Sequence, residues 1–175
     1  MARWIIDAMH SEVQFKVKHL VISTVTGSFN KFSADLESNN EDFTDAKVNF
    51  TADVNSISTN NEQRDGHLKS DDFFNAEKYP QLTFVGTSME KKGNSEYVLK
   101  GNLTIRDITQ PLELAVELGG IATDPYGQTK VGFEAVGKIN RKAFGLAWSA
   151  VTEAGSIVVS DEVKLLLNVQ FIKQA

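Results

Sequence analysis

The segment DAKVNFTADV, residues 45–54, reads as a β-strand with one dry and one wet face. Ala46, Val48, Phe50, Ala52 and Val54 share one parity, and Lys47, Asn49, Thr51 and Asp53 share the other. Successive side chains of an extended chain point to opposite sides, so one register buries every apolar residue and exposes every polar one. A helix would scatter the same residues around its circumference. This alternation suits an antiparallel sheet with one face on a core and one in water.

The pattern recurs in both directions. Upstream, in Ser11–His19, Val13, Phe15 and Val17 alternate with Glu12, Gln14, Lys16 and Lys18, and Trp4–Ala8 is expected to begin the same strand with a bend near Asp7. His19–Ser23 breaks the alternation as a turn or helical link. In Thr24–Glu37, Gly27 and Phe29 have one parity and Phe32, Ala34 and Leu36 the other, so a bulge is expected at Asn30-Lys31. Ser38–Asp42 is expected to be a polar turn.

Downstream, Gln81–Met89 carries Leu82, Phe84 and Gly86 on one face, and Lys91–Asn94 reads as a hairpin turn. Tyr97, Leu99, Gly101, Leu103 and Ile105 follow at period two, with a turn at Arg106–Gln110. Three further strands carry Leu112–Leu118, Val131–Ile139 and Val163–Phe171, separated by a Gly/Pro loop at Gly119–Gln128 and a long connection at Asn140–Ser160. About eight strands joined mostly by short connections imply antiparallel neighbours, and their dry faces demand a sandwich or a closed barrel. An eight-stranded barrel is just wide enough to hold one small or elongated ligand.

One stretch does not alternate. Ser56–Tyr79 crosses a charged helical piece with Arg64, Asp65 and His67, reaches the apolar pair Phe73–Phe74, and stops at Tyr79–Pro80. An excursion of that length inside a strand-rich domain is functional or a cover for something.

Composition bounds the function. The 175 residues make a single domain, 1–175. Net charge is −5, which argues against a nucleic-acid partner. Cysteine is absent, which removes disulfides, thiolate metal ligands and a cysteine nucleophile. The early apolar run is only Trp4-Ile5-Ile6, so a signal peptide is not expected, and no run approaches the ~18 apolar residues of a membrane span. The expectation is a cytoplasmic protein without stable membrane insertion, or a periplasmic one if a leader has been removed.

Several spaced blocks, in order, resemble a known family. Asp7-Ala8-Met9-His10-Ser11, Phe15–His19 and Gly27-Ser28-Phe29 form the first. Ser56–Thr59, Arg64-Asp65-Gly66-His67-Leu68, Asp72-Phe73-Phe74 and Tyr79-Pro80 form the most distinctive. Gly101–Arg106, Ile139-Asn140-Arg141, Phe144-Gly145-Leu146 and Asp161-Glu162-Val163 complete the set. Together they are similar to YceI-like proteins, the polyisoprenoid-binding, lipocalin-like family. Asp107 replaces an expected glycine, and Ala143 an expected acid, which puts in doubt any role for an acid beside Arg141. The resemblance implies an all-β fold: an extended eight-stranded antiparallel barrel, interrupted by a short helical excursion. Its lumen would take a long isoprenoid or similar amphiphilic chain, often in a homodimer, with no cofactor.

Candidate site residues carry two readings each. His19 shares the parity of Val13, Phe15 and Val17; it is either a buried, hydrogen-bonded core residue or a polar group meeting a ligand head at the barrel mouth. Arg64, Asp65 and His67 either bind a polar head, for which an Arg fork suits phosphate or carboxylate, or pin the excursion through an Arg64–Asp65 pair. Phe73, Phe74 and Tyr79 cap or line an apolar cavity, or seat the excursion. Ala46, Ala52, Gly86, Gly101, Ala135 and Gly137 interrupt the large residues of the dry faces, leaving room for a ligand or for close packing. Metal binding by His10, His19, His67 and Asp65 lacks any short-spaced pair. Ser11 as a hydrolase nucleophile lacks a G-x-S-x-G elbow. The expected ligand-contacting set is Phe15, Val17, His19, Phe29, Phe50, Arg64, His67, Phe73, Phe74, Phe84, Leu99, Gly101, Phe133 and Ala135. Lipid storage or transport without catalysis is the favoured role. The alternative is an enzyme acting on a hydrophobic substrate with His19 or His67 as general base.

Overall fold

The structure, a computed structural model, describes residues 2–19, 22–146 and 159–175, without the side chain of His19. The expected link at His19–Ser23 and connection at Asn140–Ser160 therefore lie partly outside the described residues. Eleven strands are present among them: β1 (Ala2–Ile6), β2 (Glu12–His19), β3 (Ser23–Phe29), β4 (Phe32–Ser38), β5 (Lys47–Asp53), β6 (Ile57–Ser58), β7 (Gln81–Lys91), β8 (Glu96–Ile105), β9 (Ile108–Thr123), β10 (Thr129–Asn140) and β11 (Val159–Lys173). One α-helix, α1 (Glu62–Lys69), lies between β6 and β7.

The eleven strands occupy eight positions around a barrel. β11 pairs along one edge with β10; along the other it pairs first with β2 and then with β1. β1 and β2 thus lie end to end, interrupted by a 3-10 turn at Ala8–His10. In the same way β2 pairs with β3 while β1 pairs with β4, and β3 pairs with β6 while β4 pairs with β5. From β5 the ladder continues through β7, β8, β9 and β10, every pair antiparallel. The β1–β11 pairing closes the ring. The eight strands read from the alternation are these eight positions.

Details differ from the expectation in three places. The parity switch at Asn30-Lys31 is a bend that ends β3 and starts β4, not a bulge in one ladder. The turn after β8 is only Arg106-Asp107, so β9 starts at Ile108, and β9 runs on to Thr123 through the expected loop. Bulges occur instead at Gly86 in β7 and beside Gly132, where glycine relieves the crowding of an extra residue.

The dry faces point inward, as the alternation requires. Leu82 and Phe84, Leu99 and Leu103, Leu112 and Leu114, and Phe133 and Ala135 are all buried in one core. Each large side chain removed from water contributes roughly 1.5–3 kcal/mol, which is what holds a curved sheet of this length shut.

Candidate functional site

The two ends of the barrel are built differently. At one end, the loop between β4 and β5 folds over the opening. The Asp45 carboxylate accepts hydrogen bonds from the Ser38 hydroxyl (2.5 Å) and from the Asn39 (2.8 Å) and Asn40 (3.2 Å) amides. The Tyr97 hydroxyl donates to the Asp42 carbonyl across the opening (2.8 Å). These bonds hold Phe43 in the left-handed region at φ 60° and drive its ring inward until it is 1% exposed. Phe43 meets Trp4 edge-on at 5.5 Å and Phe133 at 5.4 Å, and Phe133 meets Phe171 at 6.2 Å. Four rings in edge-to-face contact seal this end. The alternation predicts only a polar turn at Ser38–Asp42; the signal for a plug is a lone Phe in the otherwise polar run SNNEDFTD, residues 38–45.

The other end is covered by the excursion. Asn61 caps α1 by accepting from the Arg64 amide (3.0 Å), the ordinary role of Asn before a first turn. The Asp65 carboxylate accepts from the Thr59 amide (2.8 Å) and hydroxyl (2.6 Å). Arg64 donates through Nε to the Thr59 hydroxyl (2.7 Å) and through Nη2 to its carbonyl (2.8 Å). The expected Arg64–Asp65 pair does not form; both residues converge on buried Thr59 instead. Burying Thr59 is possible because all its polar groups find partners.

A second tie comes from Arg106, for which the sequence predicts only a place in a turn. Its guanidinium donates to the Asp71, Phe73 and Gly145 carbonyls (3.2, 3.1 and 3.3 Å), pairs with the Asp71 carboxylate (3.2 Å), and lies over Tyr79. Arg106 has φ 56°, which costs a non-glycine residue roughly 1–2 kcal/mol. The bonds that its side chain makes offset that cost and fasten the excursion to the β8–β9 hairpin and to the turn after β10.

Between the two ends runs a cavity of about 220 Å³. Every strand position of the barrel except the short β6 segment supplies part of its wall, from Ile6 and Phe171 near the sealed end to Val17 and Val159 near the other. Except for Gln14 and Arg141, the wall is apolar. Val159 and Phe171 are twelve residues apart on β11, so the cavity extends along about 40 Å of strand, or about 30 Å along the axis of a barrel with ~40° tilt. So small a volume over that length is a narrow tube, a shape for a linear chain rather than a globular ligand.

Of the expected contact residues, Phe15, Val17, Phe29, Phe50, Phe73, Phe74, Phe84, Leu99, Phe133 and Ala135 line this tube. Arg64 and His67 do not; they lie on a second cavity of about 370 Å³ beneath α1. His19 pairs with Val159 and Ser23 through the backbone, and its side chain lies outside the description. Gly101 is a correction. A Cβ there would stand 2.5 Å from the Phe84 ring and 2.4 Å from the Val85 carbonyl, so the glycine makes room for a cross-strand ring rather than for a ligand. Gly137, beneath Leu114 and the Glu113 carbonyl, and Gly86, beneath Leu99 and Val48, do the same. Of the small residues singled out, only Ala135 lies on the tube wall.

Two polar residues of the site have definite partners. The His67 imidazole binds the Asp72 carboxylate through Nε2 (2.9 Å) and meets the Phe73 ring edge-on at 5.1 Å. Arg141, which lines the tube but was not expected to, is 2% exposed. It donates to the Ser160, Leu146 and Val159 carbonyls (2.9, 2.6 and 3.2 Å) and pairs with Asp161 at 3.6 Å. Burial lowers its pKa against the opposing pull of Asp161. Among the described residues no three His, Asp or Glu side chains are placed to hold a metal ion. None of the described helices is long and apolar enough to cross a membrane.

Comparison with known proteins agrees with the geometry. The YceI-like domain model matches residues 4–171. Protein YceI of Salmonella newport (strain SL254) is 38% identical over 168 residues, which cover 96% of this chain and 84% of the relative. The crystal structure of Burkholderia cenocepacia BcnA has a TM-score of 0.82 at 24% identity, covering 94% of this chain and 98% of that one. A polyisoprenoid binding domain from Saccharophagus degradans, implicated in plant cell wall breakdown, has a TM-score of 0.74 at 14% identity and covers 98% of both chains. At those identities the two structures speak to the fold.

Proposed function

The chain belongs to the YceI-like family, and from that premise we propose that it binds a long-chain isoprenoid or fatty-chain amphiphile in the barrel, storing or carrying it without altering it. The observation that carries the reading is the tube: narrow, long, sealed at one end and walled almost wholly by apolar side chains. Affinity would come from apolar burial at about 25 cal/mol per Å², which needs length of contact rather than specific bonds. The Saccharophagus degradans neighbour, a polyisoprenoid binding domain, points to the same ligand class. Native mass spectrometry of the purified protein, followed by solvent extraction and identification of what it carries, tests the reading. A chain amphiphile recovered intact supports it. A protein that arrives empty and fails to take up farnesol or a fluorescent isoprenoid analogue contradicts it.

The His67–Asp72 pair is the arrangement a general base would need, so an enzyme remains the rival reading. Turnover of a bound lipid that is lost in His67→Gln would favour it. A homodimer is part of the proposal, seated on an apolar row across the outside of the sheet. Val98, Ala115, Val136 and Leu166 are cross-strand neighbours there, and Val136 is 51% exposed. Sedimentation of Val136→Glu as a monomer beside a dimeric parent would place the contact on this row.

A further inference from the structure

We propose that the mouth beneath α1 selects amphiphiles with an anionic head group, a phosphate or a carboxylate, over neutral ones; this rests on the chain-binding reading above. The second cavity adjoins the tube, since Phe15, Val17, Leu68 and Phe73 belong to the walls of both. A chain threaded into the tube would therefore leave its head here. The polar lining of this mouth is one-sided. It contains Lys18, Arg64 and His67, and among the described residues no carboxylate, in a chain with 23 acidic and only 18 basic residues.

Of the acids nearest in sequence, Glu62 is exposed and does not line the cavity. Asp65 is committed to the Thr59 amide and hydroxyl, and Asp72 holds His67; neither lines the cavity. The other three arginines each have a carboxylate partner: Arg3 has Asp35, Arg106 has Asp71 and Arg141 has Asp161. Arg64 has none among the described residues. Its bonds to Thr59 use Nε and Nη2, which fixes the plane of the guanidinium and leaves Nη1 out of those contacts. Among the described residues, the ammonium of Lys18, from β2, holds the Thr24 hydroxyl (3.1 Å) and no carboxylate. Two cations from different elements, without carboxylate partners among the described residues and beside an apolar tube, form a site in which an anion is held more strongly than in water. A neutral head would need only the dipolar groups already present, Asn61 and Gln63.

The test compares two probes with one tail, geranylgeranyl phosphate and geranylgeraniol, by equilibrium binding to the full chain. The parent, Lys18→Gln, Arg64→Gln and the double variant are measured, with denaturation midpoints as the control for folding. The expected result is a preference of about tenfold or more for the phosphate in the parent, shrinking as salt is raised and falling toward one in the double variant. If Arg64→Gln lowers the midpoint, Lys18→Gln and Arg64→Lys carry the comparison. Equal affinities for the two probes in the parent overturn the proposal while leaving the chain-binding reading intact. A preference that survives in the double variant also overturns it. Binding of neither probe overturns both readings. Finally, the parent and variants are mixed with vesicles of phosphatidylcholine and phosphatidylserine. Loss of vesicle binding without any change in probe preference would assign the cations to a membrane surface instead and overturn the head-group site.

Discussion

The sealed end and the mouth of this barrel solve the same problem in opposite ways. A closed sheet must finish somewhere, and at each finish apolar side chains meet water. At the sealed end the answer is aromatic bulk: Trp4, Phe43, Phe133 and Phe171 interlock, and a carboxylate-centred loop holds the plug in place. At the mouth the answer is a polar cover, Thr59, Asp65 and Arg106 tying a short helix across the gap, with apolar Phe73 and Phe74 turned inward. Packing of the first kind leaves no passage. Ties of the second kind break one bond at a time, so the mouth is where a ligand can enter. Local opening is drawn from regions held by few apolar contacts and many backbone bonds.

The largest expected effect is at the sealed end. Phe43→Ala removes a ring that is 1% exposed and leaves a void that the loop cannot fill, so stability should fall by about 3–5 kcal/mol in urea titration. Phe74→Ala, on the tube wall near the mouth, should cost less than half as much, because a partly exposed ring bordering a cavity loses fewer contacts. Equal losses would remove the distinction between the two ends.

At the mouth, Asp65→Ala strips the Thr59 amide and hydroxyl of their acceptor inside a buried pocket. A loss of about 1–3 kcal/mol is expected, together with faster hydrogen exchange in α1 and unchanged exchange in β7–β10. The cause is an orphaned Thr59 rather than an unpaired Arg64. Exchange that speeds equally throughout the barrel would show that the excursion opens only with global unfolding.

These differences track what a sequence can display. Alternation in segments such as 45–54 and 97–105 fixes which residues face inward, because the period of a strand is a local property. Eight strand positions, the dry faces and eight residues of the tube wall are legible for that reason; Phe73 and Phe74, in the excursion, stand out by composition instead. What depended on three-dimensional meeting was not. The guanidinium of Arg106 reaches across a hairpin to Asp71 and Gly145, and Phe43 becomes a plug only because Asp45 gathers its loop. On sequence alone Gly101 admits both ligand space and close packing, because a sequence does not show that Phe84 lies over it. Nor does adjacency reveal partners: Arg64 and Asp65 are neighbours on one helix, point to different atoms of Thr59, and do not pair.

A smaller effect separates the ends by pH. The hydrogen bond from Ser38, with those from the Asn39 and Asn40 amides, holds the Asp45 carboxyl below its ordinary 3.8, against the opposing effect of burial. A carboxylate depressed in the folded state stabilises fully above its unfolded value and ceases to do so as pH falls through its folded value. Acid titration below pH 3.8 should therefore weaken the sealed-end loop, and Asp45→Asn should flatten that part of the stability profile while lowering its plateau. An identical acid limb in parent and variant would contradict the assigned role of Asp45.

Whether the space between the two ends belongs to a ligand is decided at Ala135. It lies on the tube wall, paired with Val116 on one side and Leu167 on the other. In Ala135→Phe the new ring would project into the tube. The expected result is a denaturation midpoint close to that of the parent, with binding of a fluorescent isoprenoid analogue sharply reduced. In a filled core the same ring would overpack at a cost of about 1–3 kcal/mol. A clear loss of stability with lipid binding unaltered would contradict the account.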